Sequence, residues 1–184
     1  MITLRSVTLD DVPAINQIYG ENVRTGTASW EMAPPSDAEM QRRLEAVLAQ
    51  EYPYFVATND ETIVGYAYAS SFRARPGYRF TVENSIYIDV AYQRRGIARK
   101  LMQQLIDACT TQGYRQMIAV IGDSANVASI ELHRQLGFVQ VALFPNIGFK
   151  FGRWLDSVMM QRTLGDGAGT LPVAGDEWRV ASSR

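Results

Sequence analysis

Two parts of this chain have the residue types and spacing to do chemistry. The first is Gln93-Arg94-Arg95-Gly96-Ile97-Ala98-Arg99, just ahead of a helical pattern. A helix start leaves about four backbone N–H groups unpaired and carries partial positive charge. No Ser, Thr or Asp stands where it would cap this one. A glycine in the preceding turn lets the backbone close around a phosphate or pyrophosphate, and the small Ala98 leaves room for it. Arg94, Arg95 and Arg99 add charge. An ordinary strand-to-helix connection with solvated arginines would read the same. The second is Glu83, in the middle of an alternating stretch. A carboxylate in a partly dry cleft has a raised pKa and can take a proton near neutral pH. Alternation alone also describes a solvated strand glutamate.

The elements that must position these groups follow from periodicity. "ITLRSV" alternates and reads as a strand. Asp10 or Asp11 can cap a helix carrying Ile15, Ile18 and Tyr19. Ser36 and Glu39 have capping-box spacing before Met40, Leu44, Val47 and Leu48. "YFVAT" and "IVGYAYASSF" read as a hairpin around "NDE". "FTVENSIYIDV" reads as a longer strand, with Val82, Asn84, Ile86, Ile88 and Val90 on one face and Glu83, Ser85, Tyr87 and Asp89 on the other. A helix follows with Ile97, Leu101, Leu105 and Ile106 or Cys109 on its buried stripe. "QMIAVIG" is a buried strand. "NVASIELHRQLGF" is a short helix closed by Gly137. "VQVALF" and "SVMMQRTL" read as closing strands. The order is strand, two helices, three strands, helix, strand, helix, two strands: mixed α/β. Residues 1–164 form one domain, and 165–184, rich in glycine and small residues, read as a flexible tail.

Composition narrows the function. The 184 residues suit a single core, and the formal charge of −1 provides no basic field for nucleic acid. No apolar run approaches the roughly 20 residues that span a bilayer. The N-terminus lacks the apolar core of a secretion signal. One Cys and one His leave no metal-ligand spacing, so no metal is expected. These features suggest a cytoplasmic enzyme or binding domain.

The compound pattern Gln93, Gly96, Ala98, followed by Asn126, Ser129, Leu132, His133, Gly137 and Phe138, resembles the GNAT superfamily of N-acetyltransferases. "FTVENSIYI", "LHRQLGF" and "GFKFGRWLD" look like its phosphinothricin and methionine sulfone/sulfoximine branch, which acetylates the α-amino group of small amino-acid-like substrates. The resemblance covers about residues 2 to 164. It implies a twisted, mostly antiparallel mixed sheet of about seven strands flanked by about four helices, splayed between the fourth and fifth strands, in a homodimer. It also implies acetyl-coenzyme A as co-substrate. Its pyrophosphate would lie on Arg94, Arg95, Gly96, Ile97, Ala98 and Arg99, and its pantetheine arm and thioester along Asn126 and Ser129. "FRARPGYRF" mixes the subgroups: Arg73 sits where the sulfone enzymes carry an arginine, while Arg75 and Tyr78 resemble the phosphinothricin side.

On that resemblance Glu83 is the base that frees the attacking amine. Backbone N–H groups around Ile88 to Val90, at a strand bulge, would meet the oxyanion. His133 stands where relatives carry a tyrosine thought to protonate the leaving thiolate; it would do that, help deprotonate the amine, or simply pack on its helix. Cys109 falls on a buried stripe, which favours direct transfer in a ternary complex over a ping-pong route. Arg73, Arg75, Tyr78 and Trp30 would surround the acceptor, with Lys150 adding charge, in one version from a partner subunit. The leading reading is a small-zwitterion N-acetyltransferase. The others are acetylation of protein N-termini or other amines, and a coenzyme A-binding domain without catalysis.

Overall fold

A computed structural model describes residues 1–172. Seven strands form one sheet in the order β1-β2-β3-β4-β5-β7-β6. They are β1 (Ile2–Ser6), β2 (Tyr54–Asn59), β3 (Thr62–Ser71), β4 (Thr81–Ile88), β5 (Gln116–Gly122), β6 (Val139–Lys150) and β7 (Arg153–Thr163). Four helices are α1 (Val12–Thr25), α2 (Asp37–Leu48), α3 (Ile97–Thr111) and α4 (Val127–Gln135). Only β4 and β5 pair in parallel; every other neighbour pair is antiparallel. The element order and mixed sheet are those the sequence indicated.

Each face of the sheet is covered because each helix buries one stripe. Ile97, Leu101, Leu105, Ile106 and Cys109 of α3 are buried with Val64, Val82 and Met117. Ile15, Ile18 and Tyr19 of α1 and Met40 and Leu44 of α2 pack on Tyr54, Val56 and Tyr66 on the other face. The Ser36 hydroxyl accepts from the Glu39 N–H at 3.2 Å, capping α2. Glu39 does not return the bond; its carboxylate holds Arg42 and Arg43. Asp11 stands at the N-cap of α1 but turns its carboxylate back to the Thr8 N–H and the Arg5 guanidinium.

Three readings of the elements need correction. β4 stops at Ile88 rather than Val90, because Asp89 accepts from the Ala91 N–H at 2.8 Å and starts a tight turn that exposes Val90. β6 and β7 run much further than "VQVALF" and "SVMMQRTL", meeting at Phe151 and Gly152, both at positive φ. Pro145, which has no N–H for a ladder, masked the extension; it falls in the register shift between Phe144 and Gly148 on the edge strand. The expected tail does not begin loose. Residues 165–170 fold in turns, where Arg115 reaches Asp166 at 3.6 Å and Thr170 at 3.1 Å. The rest of that reading, from residue 173, lies outside the described residues.

Candidate active site

The parallel pairing of β4 with β5 runs only from Thr81 with Gln116 to Asn84 with Ala119. Past that point the strands part, and a cleft of about 360 Å³ opens between them. Glu83, Ser85 and Tyr87 of β4 line it from one side, and Val120 to Gly122 of β5 from the other. Ser29, Trp30 and Glu31, from the segment between α1 and α2, and Asn126, Ser129 and His133 of α4 close it.

Backbone alternation aims donors into this gap. The Asp89 N–H donates to the Val64 carbonyl at 3.0 Å. In an antiparallel pair such positions alternate, so odd-numbered residues of β4 turn their backbone groups to β3 and even-numbered ones to the β5 side. Ile86 and Ile88 therefore present theirs where β5 has already left. No bulge interrupts the β3–β4 register, contrary to the expected break near Ile88 to Val90; the irregularity lies between β2 and β3, at Ala57 and Thr58. The departure of β5, rather than a bulge, frees the backbone.

Glu83 is half-buried, and burial pushes its carboxyl above the usual carboxylate range. No hydrogen bond or ion pair to its side chain holds it down among the described residues. His133 is 2 % exposed, and its ring edge meets Phe138. Both ring nitrogens face protein: Nδ1 lies 2.8 Å from the Ser129 carbonyl and Nε2 3.1 Å from Asn84 Oδ1. Burial lowers its pKa, partly offset by the bond to Ser129. Asn84 in turn donates from Nδ2 to the Ile118 carbonyl at 2.9 Å, bridging the point where the strands diverge.

At the far end of β4, Gly96 takes φ +78° and starts α3 without any side-chain cap. A Cβ built there would meet no protein atom within 4 Å. The glycine is therefore not demanded by crowding from the protein; it serves the left-handed turn and leaves open space beside free helix N–H groups. Arg94 also has positive φ, and Arg95 donates to the Ala91 carbonyl while lying over the Tyr92 ring. This uncapped, arginine-flanked start fits a phosphate group.

The sequence model of the acetyltransferase (GNAT) domain matches residues 4–159. The chain belongs to the GNAT acetyltransferase family. A phosphinothricin N-acetyltransferase of Alcaligenes faecalis is 50% identical over 170 residues, 92% of this chain and 86% of that one. An L-methionine sulfoximine/L-methionine sulfone acetyltransferase of Salmonella typhimurium is 38% identical, covering 91% of this chain and 97% of its own length. Among solved structures, a GNAT superfamily phosphinothricin acetyltransferase from Sinorhizobium meliloti, in complex with acetyl-coenzyme A, superposes with a TM-score of 0.92 at 47% identity, covering 95% of this chain and 94% of that one.

The other sequence-derived residues of this acetyltransferase fall in different places. Ile97 is buried, so only its backbone faces the α3 start, whereas Ala98 and Arg99 lie on the first turn. Asn126 caps α4, accepting from the Ser129 N–H at 3.3 Å. Trp30 lines the cleft. Arg73, Arg75 and Tyr78 do not line it: they occupy the β3–β4 loop, where the Arg73 guanidinium stacks on Phe72 and Tyr78 and Arg75 is exposed. Lys150 does not reach the cleft either. Its ammonium is spent on two backbone carbonyls, those of Gly26 and Ser29.

Sequence reasoning missed Tyr19, Ser29, Glu31 and Tyr87 as lining residues. The Tyr19 hydroxyl bonds Ser29 Oγ at 2.8 Å, and Arg43 holds Glu31 at 2.6 Å. It also missed Asn84, although a polar residue among Val82, Ile86 and Ile88 was a visible signal.

Proposed function

We propose that this acetyltransferase uses acetyl-coenzyme A to acetylate the α-amino group of a small amino-acid-like acceptor, of the phosphinothricin, methionine sulfone or methionine sulfoximine type. The observation that carries this is the cleft at the β4–β5 divergence. Its volume suits a small molecule rather than a peptide groove. Its charged lining is Glu31 and Glu83, with Tyr19, Trp30 and Tyr87 as walls, which suits an ammonium. The names of the relatives point to the same substrates.

The N–H groups at the start of α3, with Arg94, Arg95 and Arg99, would hold the cofactor's pyrophosphate, and Asn126 and Ser129 would border its arm. Acetyl-coenzyme A supplies an acyl carbon activated as a thioester. The chain supplies the rest. Glu83 takes the proton of the acceptor ammonium, directly or through a water, so that the nitrogen gains a lone pair. The N–H of Ile88, and that of Val90 at the following turn, offer donors to the oxygen on which negative charge gathers. Cys109 is buried and its thiol pushed up to about 12, which makes it a poor nucleophile and supports direct transfer in a ternary complex. His133, with both nitrogens engaged, acts by shaping the divergence of β4 and β5.

The chain works as a homodimer in the cytoplasm. Among the described residues β6 is an edge of the sheet, and Val139, Val141, Leu143, Phe144, Ile147, Phe149, Phe151 and Trp154 on its hairpin are all exposed. A second copy packed on this hairpin covers them, since a lone chain rarely leaves so many large apolar side chains of one hairpin in water.

A coenzyme A release assay tests the function across phosphinothricin, methionine sulfone, methionine sulfoximine, polyamines and short peptides. Turnover confined to the three amino acids is expected. Better turnover of peptides or polyamines would overturn the acceptor assignment.

A further inference from the structure

We infer that Lys150 is a positioning residue: from the end of β6 it clasps the segment between α1 and α2 and so fixes the roof of the acceptor cleft. This rests on the acceptor cleft proposed above. Lys150 is 1 % exposed, and its Nζ donates to the Gly26 carbonyl at 2.9 Å and to the Ser29 carbonyl at 2.8 Å. Among the described residues no carboxylate pairs with it; a buried ammonium is costly unless its hydrogen bonds are made, and here both go to one short stretch of backbone. That stretch follows the end of α1 and has no helix or strand of its own before α2.

Two glycines show how closely the segment is seated. A Cβ on Gly148, two residues before Lys150, would overlap the Trp30 ring; one on Gly122 would overlap the Thr27 carbonyl. Both strands thus leave room for the segment, and Lys150 closes it down. The Ser29 hydroxyl then faces Tyr19 and the Glu31 N–H, which sets Ser29, Trp30 and Glu31 over the cleft together. Lys150 is not itself part of the cleft lining, so its effect on the acceptor passes through these three residues.

Two measurements test the clasp without sharing a failure. In the protein without substrates, hydrogen exchange of residues 26–31 should quicken about tenfold or more in Lys150→Met, which keeps the packed stem and loses both charge-assisted bonds. Exchange along α3 should not change. In steady-state kinetics, the KM for the acceptor should rise while the KM for acetyl-coenzyme A holds. Gly148→Ala, which keeps Lys150 and displaces Trp30 from beneath, should give the same split. In the Trp30→Ala background, Lys150→Met should add less than it does in the wild type, because one of the three residues it positions is gone. The clasp is wrong if residues 26–31 exchange at the wild-type rate, if α3 quickens equally, or if the KM for the acceptor stays at the wild-type value. An absence of turnover with every amino acid would overturn the acceptor assignment, and the exchange result would still decide the clasp.

Discussion

Nε2 of His133 faces the side-chain oxygen of Asn84 at 3.1 Å while its Nδ1 faces the Ser129 carbonyl at 2.8 Å. With the bond from Asn84 to the Ile118 carbonyl, this makes a chain of three links that ends on a carbonyl at both ends. Three links need three hydrogens. The Asn84 amide supplies one, whichever way it is turned, and a neutral imidazole supplies one. Only the imidazolium completes the chain, and burial opposes it.

His133 is the one histidine of the chain, so its ring gives a single resonance to titrate. Asn84→Leu should lower its pKa further, by removing the oxygen that stabilises the cation. Asn84→Asp should raise it. Stability follows the sign: between 6.5 and the lower folded value the unfolded chain binds the extra proton, so acidification through that window destabilises the fold. An identical titration in all three proteins would rule the chain out.

Glu83→Gln should bind both substrates and lose roughly 10²- to 10⁴-fold in kcat, the range for removing a general base. The wild-type rate should rise with pH as Glu83 ionises, on a limb displaced above 4.5 by burial, and the variant should lack that limb. Because an acid with a raised folded pKa loses stability as pH rises through that window, Glu83→Gln should also melt higher at neutral pH. A wild-type kcat at neutral pH in the variant would eliminate Glu83 as the base.

Gly96→Val should fold, since its Cβ meets open space, with a cost of about 1–2 kcal/mol for forcing a left-handed φ on a branched residue. Its side chain enters the space reserved for phosphate, so the KM for acetyl-coenzyme A should rise by roughly 10- to 150-fold, the value of one charged hydrogen bond. Isothermal titration with coenzyme A checks this directly. Unchanged affinity in the folded variant removes the phosphate site.

Much of this was legible because the signals were local. The β4 alternation placed Glu83 on the cleft face, and the stripe from Ile97 to Cys109 placed α3 on the sheet. What failed to show depends on contacts between distant segments. Lys150 is bonded to residues more than 120 positions away, and nothing near it in sequence reveals that. Its charge therefore read as a substrate contact. The length of β6 was hidden because its outward apolar residues break the alternation that marks a strand with one solvated face.

The exposed hairpin face bears on assembly. Ile147→Asp with Phe149→Asp should place charge on both copies at once and shift sedimentation from dimer to monomer. A wild-type sedimentation coefficient in the double variant would remove the hairpin as the interface, and a monomeric wild type would remove the homodimer.

If Arg73 and Arg75 hold the acceptor's other end, they do so from beyond the cleft lining. They stand in the loop that enters β4 just before Glu83, outside the cleft lining. Arg73 is held by Phe72 and Tyr78, with its Nη1 3.3 Å from the Tyr78 hydroxyl. Stacking occupies the face of the guanidinium and Tyr78 takes Nη1, which leaves the rest of the fork's edge for oxygens. Arg73→Ala and Arg75→Ala should each lower kcat/KM for phosphinothricin and methionine sulfone by roughly 10- to 150-fold, the value of a bidentate charged contact, and leave the KM for acetyl-coenzyme A unchanged. Lysine should restore only part of the loss, because it returns charge without the fork. Kinetics of the wild type and the four variants, with a short unblocked peptide as the third acceptor, make the comparison. If neither alanine variant affects the amino acids, the arginines do not hold the acceptor. If the peptide is the best substrate, the small-zwitterion assignment fails while the acetyltransferase assignment stands.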